Sequence, residues 1–179
     1  SDEAIDGNQA EQLFAKARAH LEYILNKIDP RSEAAYVALG DVYSTQGKVN
    51  DAKVAWNQGL ERIGETSLAL NMRLTEAVAR EKAPDTKDHL DRLDEALNSL
   101  PPSASPEVKS SLTRTRDLID ALWLLRLDKP AQAIPLLTPI VAQGHQGLGT
   151  RLDDALKGAM LLGEAYESPD QWEDAARVY

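Results

Sequence analysis

Two stretches of the chain, 123 residues apart, carry the same spaced set of small and aromatic residues. Leu39-Gly40 is followed by Tyr43, Ala52 and Trp56, and Leu162-Gly163 by Tyr166, Ala175 and Tyr179. In both, a tyrosine stands 3 residues after the glycine, an alanine 12 after it, and a second aromatic 4 after the alanine. The acid before the alanine recurs too, as Asp51 and Asp174. Ala121, Leu124, Ala133 and Leu137 repeat the offsets with other side chains. Such self-similarity constrains a fold strongly, because each copy must be one supersecondary unit that buries its apolar face on the next.

The intervening sequence has the period of helices. Leu90, Leu93, Leu97 and Leu100 form one stripe, as do Leu118, Leu122 and Leu125, widened by Ile119 and Trp123, and Leu13, Ala17, Leu21, Ile24 and Ile28. No segment alternates apolar and polar residues, so no strand is expected. The apolar run 134–142 holds Pro135 and Pro139, which a central strand would not tolerate. Caps and breakers predict nine helices. They run from Asn8 to Ile28, Ser32 to Gly47, Asn50 (as N-cap) to Ile63, and Thr66 to Lys82. The rest run from after Asp85 to Leu100, Ser105 to Leu127, Asp128 to Gly144, Thr150 to Glu167, and from Asp170 onward. Pro135 should kink the seventh, at about 3 kcal/mol. Pro139 implies a second bend or an early end. Short turns between helices imply antiparallel pairs. Two helices cross closely only where side chains are small, so Gly40 is expected against Ala52 and Gly163 against Ala175, with Tyr43 and Trp56 filling the wider gaps.

The pattern resembles the tetratricopeptide repeat (TPR) family: Tyr36, Leu39, Gly40, Tyr43, Gly47, Ala52, Trp56 and Leu60 fit one full repeat. The resemblance implies an all-α superhelical array of antiparallel helix pairs, an α-solenoid, as a single domain over 1–179. Within it, 1–30 is a leading helix, 33–64 a repeat, 66–101 a degenerate repeat, 106–143 a long repeat and 150–179 a truncated one. The middle departs from the family. Three ideal steps of about 34 residues would span roughly 102, Gly64 stands where a closing proline belongs, and Ala77, at the small-residue position, is followed by Arg80. The resemblance further places partner-binding groove positions at Val37, Asp41 and Ser44, at Leu118, Leu122 and Leu125, and at Met160 and Glu164. The three leucines fit a core equally well. Asp41 and Glu164 stand where a carboxylate-clamping subclass has asparagine, and two acids would repel a carboxylate.

Composition narrows the chemistry. With 179 residues the chain can bury a core unaided. It has no cysteine, hence no disulfide, thiolate metal site or cysteine nucleophile. A net charge of −9 makes nucleic acid a poor partner and favours basic or mixed basic–apolar segments. No run is apolar enough to cross a membrane, so no membrane insertion is expected. His20, His89 and His145 are scattered, and Asp88, Asp91, Asp94 and Glu95 alternate with Lys87 and Arg92 as a salt-bridged solvent face. The glycines of 144–149 lack the lysine and serine or threonine of a phosphate loop. Trp56 and Trp123 fit packing positions, whereas Trp172 could be exposed. No catalytic site, cofactor or metal is therefore expected. The expected function is a protein–protein interaction scaffold, with a structural spacer, a self-association domain or a non-catalytic accessory domain of a larger enzyme as alternatives. The chain opens at Ser1 and ends inside a repeat at Tyr179, so it is expected to be a fragment. Leu161, Ala175, Val178 and Tyr179 would then form an uncapped edge, covered by the rest of the chain or by a second copy.

Overall fold

The computed structural model describes residues 7–144 and 150–167, with side chains from 143 to 152 left aside. Helix α1 (Gly7–Tyr23) continues into a π-helical turn (Ile24–Ile28), followed by α2 (Glu33–Thr45), α3 (Val49–Ile63) and α4 (Leu68–Arg80). Then come α5 (Thr86–Asn98), α6 (Pro106–Arg126), α7 (Pro130–Gly144) and α8 (Thr150–Tyr166). The chain is all-α: no strand occurs among the described residues. The ninth helix, with Trp172, Asp174, Ala175, Val178 and Tyr179, lies outside them, as does His145.

Serines start three helices. The Ser32 and Ser105 hydroxyls accept from the amides of Ala35 (3.4 Å) and Val108 (3.3 Å), and Ser67 accepts from Leu70 (3.4 Å). Helix α3 corrects the sequence reading. Lys48, not Asn50, is its N-cap, and no side chain caps it. The preceding turn is so short that Asn50 already lies in the first helical turn.

One turn closes α2, α4 and α6. The second residue beyond each helix is left-handed: Gly47 (φ 72°), Lys82 (φ 55°) and Asp128 (φ 56°). Each time its amide donates three residues back and the next amide five back: Lys48 to Tyr43, Ala83 to Val78, Lys129 to Leu124. This satisfies the last free carbonyls of the helix. The turns also set the repeat register. Gly40, Thr75 and Ala121 each stand seven residues before the left-handed residue, and all three are buried. Counted from its turn, the residue of α4 that corresponds to Gly40 is therefore Thr75, where the sequence reading had Ala77.

Helix α7 runs through both prolines. Spaced four apart, Pro135 and Pro139 share an exposed face, where the carbonyls they leave unbonded meet water, while Ala133, Leu137 and Ile140 are buried. Thr138 donates its hydroxyl to the Ile134 carbonyl (2.9 Å) on the same stretch.

The chain divides into two compact units, Ser1–Leu74 and Thr75–Tyr179, with the division inside α4. In the first, α1 and α3 both pack on α2. A Cβ at Gly40 would overlap the indole of Trp56, which donates to the Val37 carbonyl (3.4 Å). The nearest neighbour of Gly40 is thus Trp56, not Ala52, because the indole lies flat in the space a side chain at 40 would need. Ala52 is itself fully buried. A second close approach escaped the sequence reading: a Cβ at Gly59 would stand 2.7 Å from Leu70 and 2.9 Å from Tyr36.

In the second unit α5 packs on α6, and α6, α7 and α8 pack on one another. Leu118, Ala121, Leu125, Ala133, Leu137, Ile140, Leu162 and Ala165 form one buried cluster. Leu118, Leu122 and Leu125 are core residues, which corrects their placement on an open groove. They sit where α6 meets its neighbours, and burying them removes more apolar surface from water than a groove would.

Candidate functional site

The remaining groove positions lie on first helices of the repeat pattern. On α2, a turn of about 100° per residue brings Val37, Asp41 and Ser44 onto one face. Val37 and Asp41 are half-buried and Ser44 is exposed. Asp41 accepts two hydrogen bonds from the Arg73 guanidinium, from Nε at 2.8 Å and from an Nη at 3.1 Å. On α8, Met160 is 77 % exposed, and Glu164 takes a hydrogen bond from Arg126 of α6 at 2.9 Å. Both acids that follow the repeat glycines are therefore tied to an arginine 32 and 38 residues away in sequence. No local pattern announces such partners.

Of the expected packing positions, Ala175 and Tyr179 lie outside the described residues. Leu39, Gly40, Ala52, Trp56, Leu162 and Gly163 are buried, and Tyr43 and Tyr166 half-buried. Arg18 sits over the Tyr43 ring, 5.6 Å from its centre. Where the other copies cross on small residues, the second has Thr75, whose hydroxyl donates to the His89 carbonyl at 3.4 Å.

His89 is the buried titratable side chain of α5. Its Nε2 lies 3.5 Å from Asp85, and its Nδ1 is buried without a hydrogen-bond partner among the described residues. Burial, helped by Arg92, holds its pKa below the usual histidine value, against the pull of Asp85 and Asp88.

Of the acids of α5, Asp91 pairs with Lys87 as expected, whereas Asp94 takes two hydrogen bonds from Arg116 of α6 (2.8 and 3.0 Å). Arg116 also meets Asp120 (2.7 Å) and Asp117 (3.3 Å). Burial pulls the Arg116 pKa down, but the Asp94 hydrogen bonds and the charges of Asp120, Asp94 and Asp117 outweigh it and raise it. Burial raises the Asp117 carboxyl above its usual value, with Arg116 opposing. Arg114, 8 % exposed, lies 3.5 Å from Asp154 of α8. Among the described residues, no three His, Asp or Glu side chains come together to hold a metal.

A hollow of about 650 Å³ opens in the first unit. It lies on the side of α2 that carries Tyr36, Leu39 and Tyr43, away from the face of Val37, Asp41 and Ser44. Its walls come from the end of α1, the π turn and α3, including Glu22, Leu25, Asn26, Asp51, Val54 and Glu61. Asp51 was visible in the sequence as part of the repeat. The hollow was not, because three separate elements enclose it. No helix among the described residues is long and apolar enough to cross a membrane. No protein-family model matches the chain, and neither does any curated protein or solved structure.

Proposed function

We propose that the chain is a protein–protein interaction scaffold of tetratricopeptide-like helix pairs forming an α-solenoid, acting by binding and without catalysis. One observation carries this reading: α2, α4 and α6 end in the same left-handed turn, seven residues after a buried small residue. The turn recurs even where the sequence offers lysine or aspartate instead of glycine. This is the behaviour of a repeated structural unit, and extended repeat arrays serve chiefly as binding surfaces.

The contact surfaces are the faces of Val37 and Ser44 on α2 and of Met160 on α8. Arg73 and Arg126 counter the charges of Asp41 and Glu164 there, so apolar contact supplies affinity and charge sets specificity. A self-association role is the second reading, favoured by Leu156 and Met160, exposed at 57 % and 77 % one turn apart on α8.

A photo-crosslinking residue at Ser44 or Met160, with Asp88 as a control position, tests the proposal in the native cell. Adducts to another polypeptide from Ser44 and Met160, and not from Asp88, are expected. Adducts only to a second copy transfer the case to self-association. Adducts from neither end the reading.

A further inference from the structure

The hollow beside α2 has a chemistry of its own. Its volume, about 650 Å³, lies within the roughly 300–1,000 Å³ of ligand-sized clefts. Leu25, Tyr36, Leu39 and Ala55 line it but are themselves buried, so the apolar surface it offers is chiefly Val54 on the α3 wall, 54 % exposed. Around the hollow stand three carboxylates, Glu22, Asp51 and Glu61, against one guanidinium, Arg62.

These carboxylates differ from others in the same unit. Asp41 is held by Arg73, Glu11 lies near Arg18 and Lys48, and Glu33 accepts from Ser67. Glu22, Asp51 and Glu61 have no ion pair or hydrogen bond among the described residues. Three unpaired negative charges lining a concave surface focus a negative potential into it. An inorganic cation or a polyamine would answer that charge and leave Val54 unused. A peptide carrying a basic residue next to an apolar one answers both.

We propose that this hollow binds a short basic–apolar segment of another protein, its Lys or Arg reaching Glu22, Asp51 and Glu61 while the apolar neighbour lies against Val54. This is a second contact surface on α2, separate from the face of Val37 and Ser44, and it stands whether or not that face is used.

A random 12-residue peptide library panned against the whole chain tests it. The selected peptides are then titrated by fluorescence anisotropy against three variants. The first is Glu22→Gln/Asp51→Asn/Glu61→Gln, which keeps shape and removes charge. The second is Val54→Asp. The third, Asp88→Asn/Glu95→Gln/Asp91→Asn, is a charge-matched control on α5. Circular dichroism confirms that each is folded. Peptides pairing Lys or Arg with an apolar residue are expected, weakened at least tenfold by the first two variants and under twofold by the third. Equal weakening by the first and third would mean general electrostatics and overturn the proposal. So would selected peptides that are acidic or that ignore the hollow variants; the latter would leave the groove reading standing. A panning that enriches nothing overturns it as well.

Discussion

At the scale of single residues, Gly40 and His89 carry most of the local constraint. A side chain at 40 must displace the Trp56 indole, which is 2 % exposed and anchored to the Val37 carbonyl. Gly40→Ala is therefore expected to destabilise the fold by about 1–3 kcal/mol, the usual range for overpacking. A urea titration followed by Trp56 fluorescence measures it, and an unchanged midpoint would contradict the contact. His89 makes stability depend on pH. Its folded pKa lies below 6.5 and its unfolded one near that value, so between the two the unfolded chain binds the extra proton. The contribution is full above about pH 6.5 and is lost as pH falls through the lowered folded value. A stability profile from pH 7.5 to 5.5 should slope downward toward acid, and His89→Gln should flatten it. A parallel profile in the variant would locate the effect elsewhere.

At the scale of elements, the left-handed turns decide the architecture. Lys82 and Asp128 hold a conformation that costs a side-chain-bearing residue about 1–2 kcal/mol. Lys82→Gly and Asp128→Gly are expected to stabilise by about 0.5–1 kcal/mol each, since glycine's larger unfolded-state entropy takes back part of the gain. Gly47→Ala should destabilise by about 1 kcal/mol, as the same strain is introduced. Thermal melts of the three variants check the signs, and a destabilised Asp128→Gly would refute the strain argument. These turns also show what was legible in the sequence. Ser32, Ser105 and the proline-bounded ends placed most helices, because a cap is a local interaction between residues three apart. Lys82 gave no signal, because lysine does not favour positive φ, and Asp128 only a weak one, because aspartate tolerates that conformation without requiring it. Asn50 misled because a good capping residue does not say where the preceding turn releases the chain. At the candidate surfaces, burial of Leu118, Leu122 and Leu125 and the arginine partners of Asp41 and Glu164 depend on helices tens of residues away. The hollow depends on three elements at once.

At the scale of the whole molecule, the described helices within each unit pack chiefly on those next to them in the chain. Contacts between sequence neighbours close short loops, and chains with such contacts fold in microseconds to milliseconds. Stopped-flow refolding followed by tryptophan fluorescence should be complete within that range, and a main phase lasting seconds would argue against packing chiefly between sequence neighbours. The same arrangement bears on how such a chain is inherited. A helix pair that answers only to its neighbours can be duplicated, lengthened or lost without rewriting the rest. The steps between Gly47, Lys82 and Asp128 are 35 and then 46 residues, a difference that such neighbour-based packing can absorb. Much of the extra length lies in α6, which has 21 residues where α4 has 13. The turn at its end has the same hydrogen bonds as the others, so the longer helix changes the spacing of these turns and leaves the joint itself as it was.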